Sequence, residues 1–268
     1  MSGDTAEDLL RRLFGFSGFR PGQREAVEAV RAGRDVLAIM PTGSGKSLCY
    51  QLPAFGLDGV TLVVSPLIAL MEDQHRALVD RGLDGVEMLA SSMSGERVTA
   101  ALERIAGGAA RLVYVAPERF TSRRFLDALG RARVARLAVD EAHCLSEWGH
   151  DFRPDYLRLA DVRERLGSPP TIALTATATA RVAKDIVSAL GLRDPVMPRT
   201  GFDRPNLSFW VVPVAGDHSK PAVLRSLLAA ERALPAVVYC GRRRTCEEVA
   251  EALAAGGLRA VAYHAGLS

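Results

Sequence analysis

The run DVLAIM (Asp35 to Met40) passes into PTGSGKS (Pro41 to Ser47) and then LCYQL (Leu48 to Leu52), and this stretch decides the fold. The first part is short and apolar, as a buried strand is, and the last part has the spacing of a helix start. Between them lies a loop with glycines at Gly43 and Gly45. Strand, glycine loop and helix together are the context a phosphate-binding loop requires. The glycines let successive N–H groups converge, and the helix N-terminus adds its positive dipole end. Pro41, Thr42, Gly43, Ser44 and Gly45 form the cradle, Lys46 is placed to reach β- and γ-phosphates, and the Ser47 hydroxyl to ligate Mg²⁺. The strict pattern wants glycine where Met40 stands, so the first turn is made without it. The alternative is an ordinary glycine turn carrying a solvated lysine.

Composition sharpens the reading of Lys46. The basic residues are nearly all arginine, and the only lysines are Lys46, Lys184 and Lys220. A lysine kept in the loop suits a site that wants a compact ammonium rather than a planar fork. The chain of 268 residues is long enough for about two domains. Its 48% hydrophobic and 24% charged content is that of an ordinary globular protein. A formal net charge of +3 does not argue for nucleic acid by itself, so any such argument must come from sites. Cys49, Cys144, Cys240 and Cys246 form no CxxC pair and no metal-ligand spacing. They read as reduced thiols, the N-terminus is too acidic and polar for a signal peptide, and Val60 to Met71 is too short to span a bilayer. A cytoplasmic protein without membrane contact is expected.

Four further apolar runs follow the loop: Val60–Val64, Arg111–Ala116, Arg136–Val139 and Thr171–Leu174. They read as buried parallel strands separated by helical stretches. Each is followed by polar or special residues, namely Ser65-Pro66, Pro117-Glu118, Asp140-Glu141 and Thr175 to Thr177. In an open α/β sheet these share the carboxyl edge, where ligands bind. Upstream, helices are expected over Asp8–Phe14 and Arg24–Ala32. Between them Gln23 offers an amide for a purine edge, and Phe16 a stacking face. Downstream, Arg193–Asn206 is rich in Pro, Gly and charge and reads as a linker. A second series follows, with strands at Leu207–Val212, Ala236–Cys240 and Arg259–Tyr263 and helices near Pro221–Ala233 and Arg244–Ala255. The boundaries expected are 1–28 for an N-terminal helical segment with the adenine motif, 29–196 for the first domain, 197–216 for the linker and the start of the second domain, and 217–268 for part of that second domain.

Asp140-Glu141 at the end of a strand matches what a nucleotide site needs: Asp140 for Mg²⁺, Glu141 to orient and deprotonate an attacking water. The residues Asp140-Glu141-Ala142-His143 are the DEAH form of the second helicase motif. With FGFSGFRPGQ (Phe14–Gln23), MPTGSGKS (Met40–Ser47), SPLIALMEDQ (Ser65–Gln74), YVAPERF (Tyr114–Phe120), DEAHCLSEWGHDFRPDY (Asp140–Tyr156), ALTATAT (Ala173–Thr179), FDRPNLSF (Phe202–Phe209) and VYCGRRRTCEEVA (Val238–Ala250), the chain resembles the RecQ family of ATP-dependent DNA helicases in superfamily 2. The segments occur in family order and cover nearly the whole chain, and Met40 is the family's usual form.

The resemblance implies an α/β fold: a RecA-like P-loop domain with a parallel sheet and helices on both faces, then an incomplete second RecA-like domain. It implies ATP and Mg²⁺ as ligands, with Phe16, Arg20 and Gln23 at the adenine. Residues Met40 to Ser47 would hold the phosphates, and Ser47 and Asp140 the metal. Lys46, Asp140, Glu141 and His143 are the catalytic set it implies. His143 would link the nucleotide to Thr175 and Thr177, the alternative being a histidine that merely has a partner near the sheet edge. Ser65, Pro66, Pro117, Glu118 and Arg119 would contact single-stranded DNA. Trp148, His150, Phe152 and Arg153 lie in a short segment with Gly149 and Pro154, and make a stacking platform for unpaired bases, worth ~1–3 kcal/mol per base. The alternative is that Trp148 and Phe152 pack under the loop.

The implied function is a 3′-to-5′ helicase that couples ATP hydrolysis to unwinding in recombination and repair, with single-stranded and partially duplex DNA as partners. No counterpart of the family's fifth and sixth motifs, or of its zinc-binding, winged-helix and HRDC regions, lies within residues 1–268. A chain truncated before those motifs, binding ATP and DNA but deficient in unwinding, is therefore expected. Arg242, Arg243 and Arg244 lie too early to supply an arginine to the γ-phosphate, and face solvent or DNA phosphates. The competing classes are an RNA helicase of the DEAH or DEAD type and a non-catalytic nucleotide- and DNA-binding module.

Overall fold

Six short apolar segments pair into one all-parallel sheet: β1 (Val36–Ile39), β2 (Val60–Val64), β3 (Val86–Leu89), β4 (Leu112–Val115), β5 (Val134–Val139) and β6 (Thr171–Thr175), in the order β1-β6-β5-β2-β4-β3. The computed structural model describes residues 4–91, 93–149, 151–201, 207–229 and 234–267. Alternation along each strand sends side chains to two apolar layers. Leu37, Ile39, Leu62, Val64, Val113, Val115, Leu137, Val139 and Ala173 enter one layer. Val36, Ala38, Val63, Leu112, Tyr114, Ala138, Ile172 and Leu174 enter the other.

The helices α1 (Ala6–Leu9), α2 (Gln23–Arg31), α3 (Leu48–Ala54) and α4 (Ile68–Val79) cover the second layer, with Val27, Leu52 and Met71 buried in it. The first layer is covered by α5 (Gly95–Ala106), α6 (Arg123–Arg131), α8 (Leu159–Arg165) and α9 (Ala180–Leu190), through Ile105, Phe125, Val162 and Ile186. The short helix α7 (Pro154–Leu157) leads into α8. Both faces are thus covered, as a parallel sheet requires. The expected helix over Asp8–Phe14 continues α1 as a π-helical turn, Leu10–Phe14.

The sequence reading omits β3. It is an edge strand whose apolar run is broken by Glu87, which forms an ion pair with Arg104 of α5. The stretch expected as a linker also begins differently. Val196 to Thr200 lies parallel to β1, with bonds from Leu37 N–H to the Val196 carbonyl at 2.9 Å and from Thr200 N–H to Ile39 at 3.3 Å. Pro198 has no N–H to donate toward Leu37, so two isolated bridges form there instead of a continuous strand.

Residues 1–203 form one compact unit and 204–268 another. The second contains α10 (Lys220–Leu228) and α11 (Arg243–Ala255). The strands expected at Leu207–Val212, Ala236–Cys240 and Arg259–Tyr263 carry no strand ladder among the described residues, and this corrects the sequence reading. Apolar alternation makes a strand only where a neighbour accepts its backbone bonds. Without one, Phe209, Trp210, Val237, Tyr239, Val261 and Tyr263 remain exposed. The expected segment Phe202–Asn206 and the end of the helix near Ala233 lie outside the described residues.

At the amino edge of the sheet a buried ion pair fixes the β1–β6 pairing. Arg163 Nη2 donates to both Asp35 carboxylate oxygens at 3.0 and 2.9 Å. Asp35 also accepts from the backbone N–H of Thr171 and of Arg193, both at 2.7 Å. The rest of the guanidinium donates to Thr171 Oγ1 and to the Leu190 and Gly191 carbonyls that end α9. Asp35→Ala leaves the Arg163 cation buried without its counter-charge. It is expected to destabilise unit 1–203 by about 3–5 kcal/mol, read as a lower denaturant midpoint. A loss below about 1 kcal/mol, the value of an exposed pair, contradicts this assignment.

Candidate functional site

The carboxyl ends of the strands bring the expected residues to one edge. In spatial order these ends carry the loop after β1, Thr175 as the last residue of β6, Asp140 after β5, Ser65-Pro66 after β2 and Pro117 after β4. Adjacent strands β5 and β2 send their connections in opposite directions across the sheet, β5 toward β6 and β2 toward β3, which opens a crevice between their carboxyl ends. Ligands of open α/β sheets lie at such a crevice.

The loop itself has Gly43 at φ +82° and Gly45 at φ +80°. A Cβ on Gly45 would stand 2.6 Å from Gln23 Nε2. Met40 has no positive φ and is fully buried, so the non-glycine residue is accommodated as core. Gln23 is buried; its Nε2 donates to the Ser44 and Gly45 carbonyls, both at 3.0 Å, and its Oε1 accepts from Arg20 N–H at 2.8 Å. Arg20 Nη1 donates to the Gly43 carbonyl at 2.8 Å. The segment expected at the adenine is thus braced against the phosphate loop. Phe16 is exposed and stacks on Phe14 at 6.4 Å, with Arg81 over both rings. Lys46 Nζ is 3.4 Å from the Pro41 carbonyl, half-buried in its own loop. Thr42 is exposed, and the buried Ser44 Oγ has no hydrogen-bond partner.

Asp140 is buried at the tip of β5, its Oδ1 accepting from Glu141 N–H at 3.0 Å. Burial, then the Glu141 charge, pushes its carboxyl up to about 6, opposed by Lys46 and His143. A cation would offset that cost, and Asp140 and the Ser47 hydroxyl are the oxygen donors that would hold Mg²⁺. Glu141 adopts the left-handed conformation, φ 47° and ψ 46°, which is strained for a residue with a Cβ. The chain thereby turns sharply into a 3-10 turn (Ala142–Leu145). His143 Nδ1 lies 3.1 Å from Thr175 Oγ1 and 3.2 Å from Glu141 Oε2. Thr175 Oγ1 accepts from Thr177 N–H at 3.2 Å. Strand β6 and the DEAH turn are therefore joined by side chains beside the nucleotide loop.

The aromatic segment leaves that turn without becoming helical. Trp148 is 63% exposed, Phe152 is half-buried, and His150 lies outside the described residues. Arg153 pairs with Asp151 at 2.9 Å and donates to the Pro66 carbonyl at 3.1 Å. Pro117 is buried, Glu118 exposed, and Arg119 donates to the Ala90 carbonyl. Local sequence pattern did not single out Arg181 and Asp185 on α9. Arg181 lies over Trp148, and Asp185 accepts from Ser146 Oγ. Their spacing of four places them on one helical stripe, the one signal available. Cys49 and Cys144 are free thiols pushed up to about 12, chiefly by burial, and so are unreactive. Among the described residues no helix is long and apolar enough to cross a membrane.

Residues 20–186 match the model of the DEAD/DEAH box helicases, and the chain belongs to that family. Over 98% of its length it is 40% identical to the ATP-dependent DNA helicase RecQ of Pasteurella multocida, covering 41% of that protein. It is also 40% identical over 97% of its length to the probable ATP-dependent DNA helicase RecS of Bacillus subtilis, covering 52% of it. The chain spans about half the length of these relatives or less. Its fold is similar to the Pyrococcus furiosus Hef helicase domain, with TM-score 0.53 and 21% identity over 70% of this chain and 39% of that one.

Gly45→Ala combines a strained φ with a clash on the Gln23 amide. It is expected to cost ~1–2 kcal/mol of stability and to lower affinity for an ATP analogue. Because the two sites touch, the losses of Gly45→Ala and Gln23→Ala should not add in the double variant, as read by chemical denaturation. Strict additivity contradicts the bracing of the loop by Gln23.

Proposed function

We propose that this chain is the ATP-binding part of a RecQ-type, 3′-to-5′ DNA helicase. The observation that carries this reading is the single sheet edge on which the Lys46 loop, Asp140-Glu141 and the His143–Thr175 contact adjoin an exposed aromatic segment. ATP lies against the loop, its base stacked on Phe16 and met by Arg20 and Gln23. Lys46 takes the β- and γ-phosphates, while Ser47 and Asp140 hold Mg²⁺, which when bound neutralises phosphate charge. Glu141 orients the attacking water and accepts its proton. His143 senses that end of the site and passes its state to Thr175 and Thr177.

Single-stranded DNA runs past Ser65-Pro66 and Pro117-Glu118-Arg119, with bases stacked at Trp148 and Phe152. Arg153, bonded to the Pro66 carbonyl, ties the two DNA-facing segments together. The names of the Pasteurella and Bacillus relatives support DNA as the nucleic acid. Residues 1–268 alone are proposed to bind ATP–Mg²⁺ and DNA, and to be deficient in unwinding.

Lys46→Ala removes charge-assisted contacts to phosphate and is expected to weaken binding of an ATP analogue by about 10- to 150-fold. The circular dichroism spectrum should be unchanged. Native spectrum with native affinity sinks the phosphate-loop assignment. A further test compares ATPase stimulation by oligothymidylate and by oligouridylate. Greater stimulation by DNA is expected, and it should fall in Trp148→Ala; equal or greater stimulation by RNA would favour an RNA helicase.

A further inference from the structure

Trp148 is held from behind. The Arg181 guanidinium carbon is 3.6 Å from the centroid of its ring, a stacking distance that leaves no room for another group on that face. The ring is nevertheless 63% exposed, so its other face is open. The backbone of the same residue is fixed to the same helix. Trp148 N–H donates to Ser146 Oγ at 3.2 Å, and that hydroxyl donates to Asp185 Oδ2 at 2.7 Å. Arg181 and Asp185, one turn apart on α9, therefore register both the ring and the main chain of one aromatic residue. The loop is also bound tightly from within, since a Cβ on Gly149 would stand 2.2 Å from the His143 carbonyl oxygen.

We propose that Arg181 is a positioning residue for single-stranded DNA, which backs one face of Trp148 and leaves the opposite face to a single unpaired base. This inference rests on the reading of Trp148 as a base platform. A ring already fixed on one side loses less freedom when a base stacks on the other, so binding is strengthened without Arg181 touching the base. Helix α9 then gives the contact a route to the nucleotide site. It is capped by Thr179, whose Oγ1 accepts from Val182 N–H at 3.3 Å, and it follows directly from Thr175 and Thr177, the former in contact with His143. A base that stacks on Trp148 loads the same helix into which the segment from Thr175 to Thr179 leads.

The test uses the full chain with Trp210→Phe, which leaves Trp148 as the sole tryptophan of the two. Affinity for a fluorescein-labelled oligothymidylate is measured in Arg181→Ala, Arg181→Lys, Trp148→Ala and the Arg181→Ala/Trp148→Ala double variant, and the Trp148 emission in the parent and the two Arg181 variants. Arg181 is exposed, so its loss should leave the thermal midpoint in place. Arg181→Ala is expected to weaken oligonucleotide binding about 2- to 5-fold and to shift the Trp148 emission. Arg181→Lys should recover much of both, and the double variant should bind no more weakly than Trp148→Ala alone. If Trp148→Ala weakens binding while Arg181→Ala leaves it unchanged or tightens it, the positioning role is overturned and the platform stands. If Trp148→Ala itself changes nothing, the platform reading falls, and the inference with it.

Discussion

The buried pair of Asp35 and Arg163 is the interaction on which the site depends, although it lies at the opposite edge of the sheet. One carboxylate meets a guanidinium and two backbone N–H groups, while the same guanidinium caps the end of α9. The four bonds to the carboxylate converge where β1 and β6 begin. Two charges removed from water are tolerable only with this completeness, because a missing partner would leave several kcal/mol uncompensated. The result is a fixed register between β1 and β6, with Val36 beside Ile172 and Ile39 beside Thr175. At the other end of those strands, that register sets the Lys46 loop next to Thr175, where Met40 N–H donates to the Thr175 carbonyl at 3.1 Å.

From that neighbourhood the carboxyl edge divides into two halves. The ends of β1, β6 and β5 carry the loop, Thr175 and Asp140, and the ends of β2 and β4 carry Ser65-Pro66 and Pro117. The segment Ala142 to Arg153 starts in the first half and returns to the second through the Arg153 bond to the Pro66 carbonyl. Its departure is steered by the left-handed Glu141, and its position is fixed by α9. The strained residue is the proposed base for the attacking water, which places stored backbone strain where the chemistry of the site would act.

Much of this was legible in the sequence because the determinants are local. Gly43, Gly45 and Lys46 sit in a fixed spacing after an apolar run, and Asp140-Glu141 follows another, so both could be placed at strand ends without coordinates. Strand β3 was not legible, since Glu87 interrupts its apolar pattern and the pairing that makes it a strand is supplied by β4. Val196 to Thr200 was hidden by Pro195 and Pro198, which read as linker residues yet are compatible with an edge beside β1. The error ran the other way beyond residue 203. There Leu207–Val212, Ala236–Cys240 and Arg259–Tyr263 have the composition of strands, but composition does not supply a hydrogen-bonding neighbour. Gln23 was not legible as a brace, and Arg181 not at all, because a cation over a ring from a helix some thirty residues away leaves no local pattern.

In the proposed function the nucleotide site and the aromatic platform form one coupled unit, joined by Glu141, His143, Thr175 and α9. Coupling of this kind is reciprocal, so it is read most directly as linkage between two ligands. The measurement is the affinity of the full chain for a non-hydrolysable ATP analogue with Mg²⁺, with and without saturating oligothymidylate, and the converse titration. The two affinities should change by the same factor, about 5-fold or more, and the factor should collapse toward one in His143→Ala. If both ligands bind and neither alters the affinity of the other, the two halves of the edge are independent, and the coupled site is contradicted.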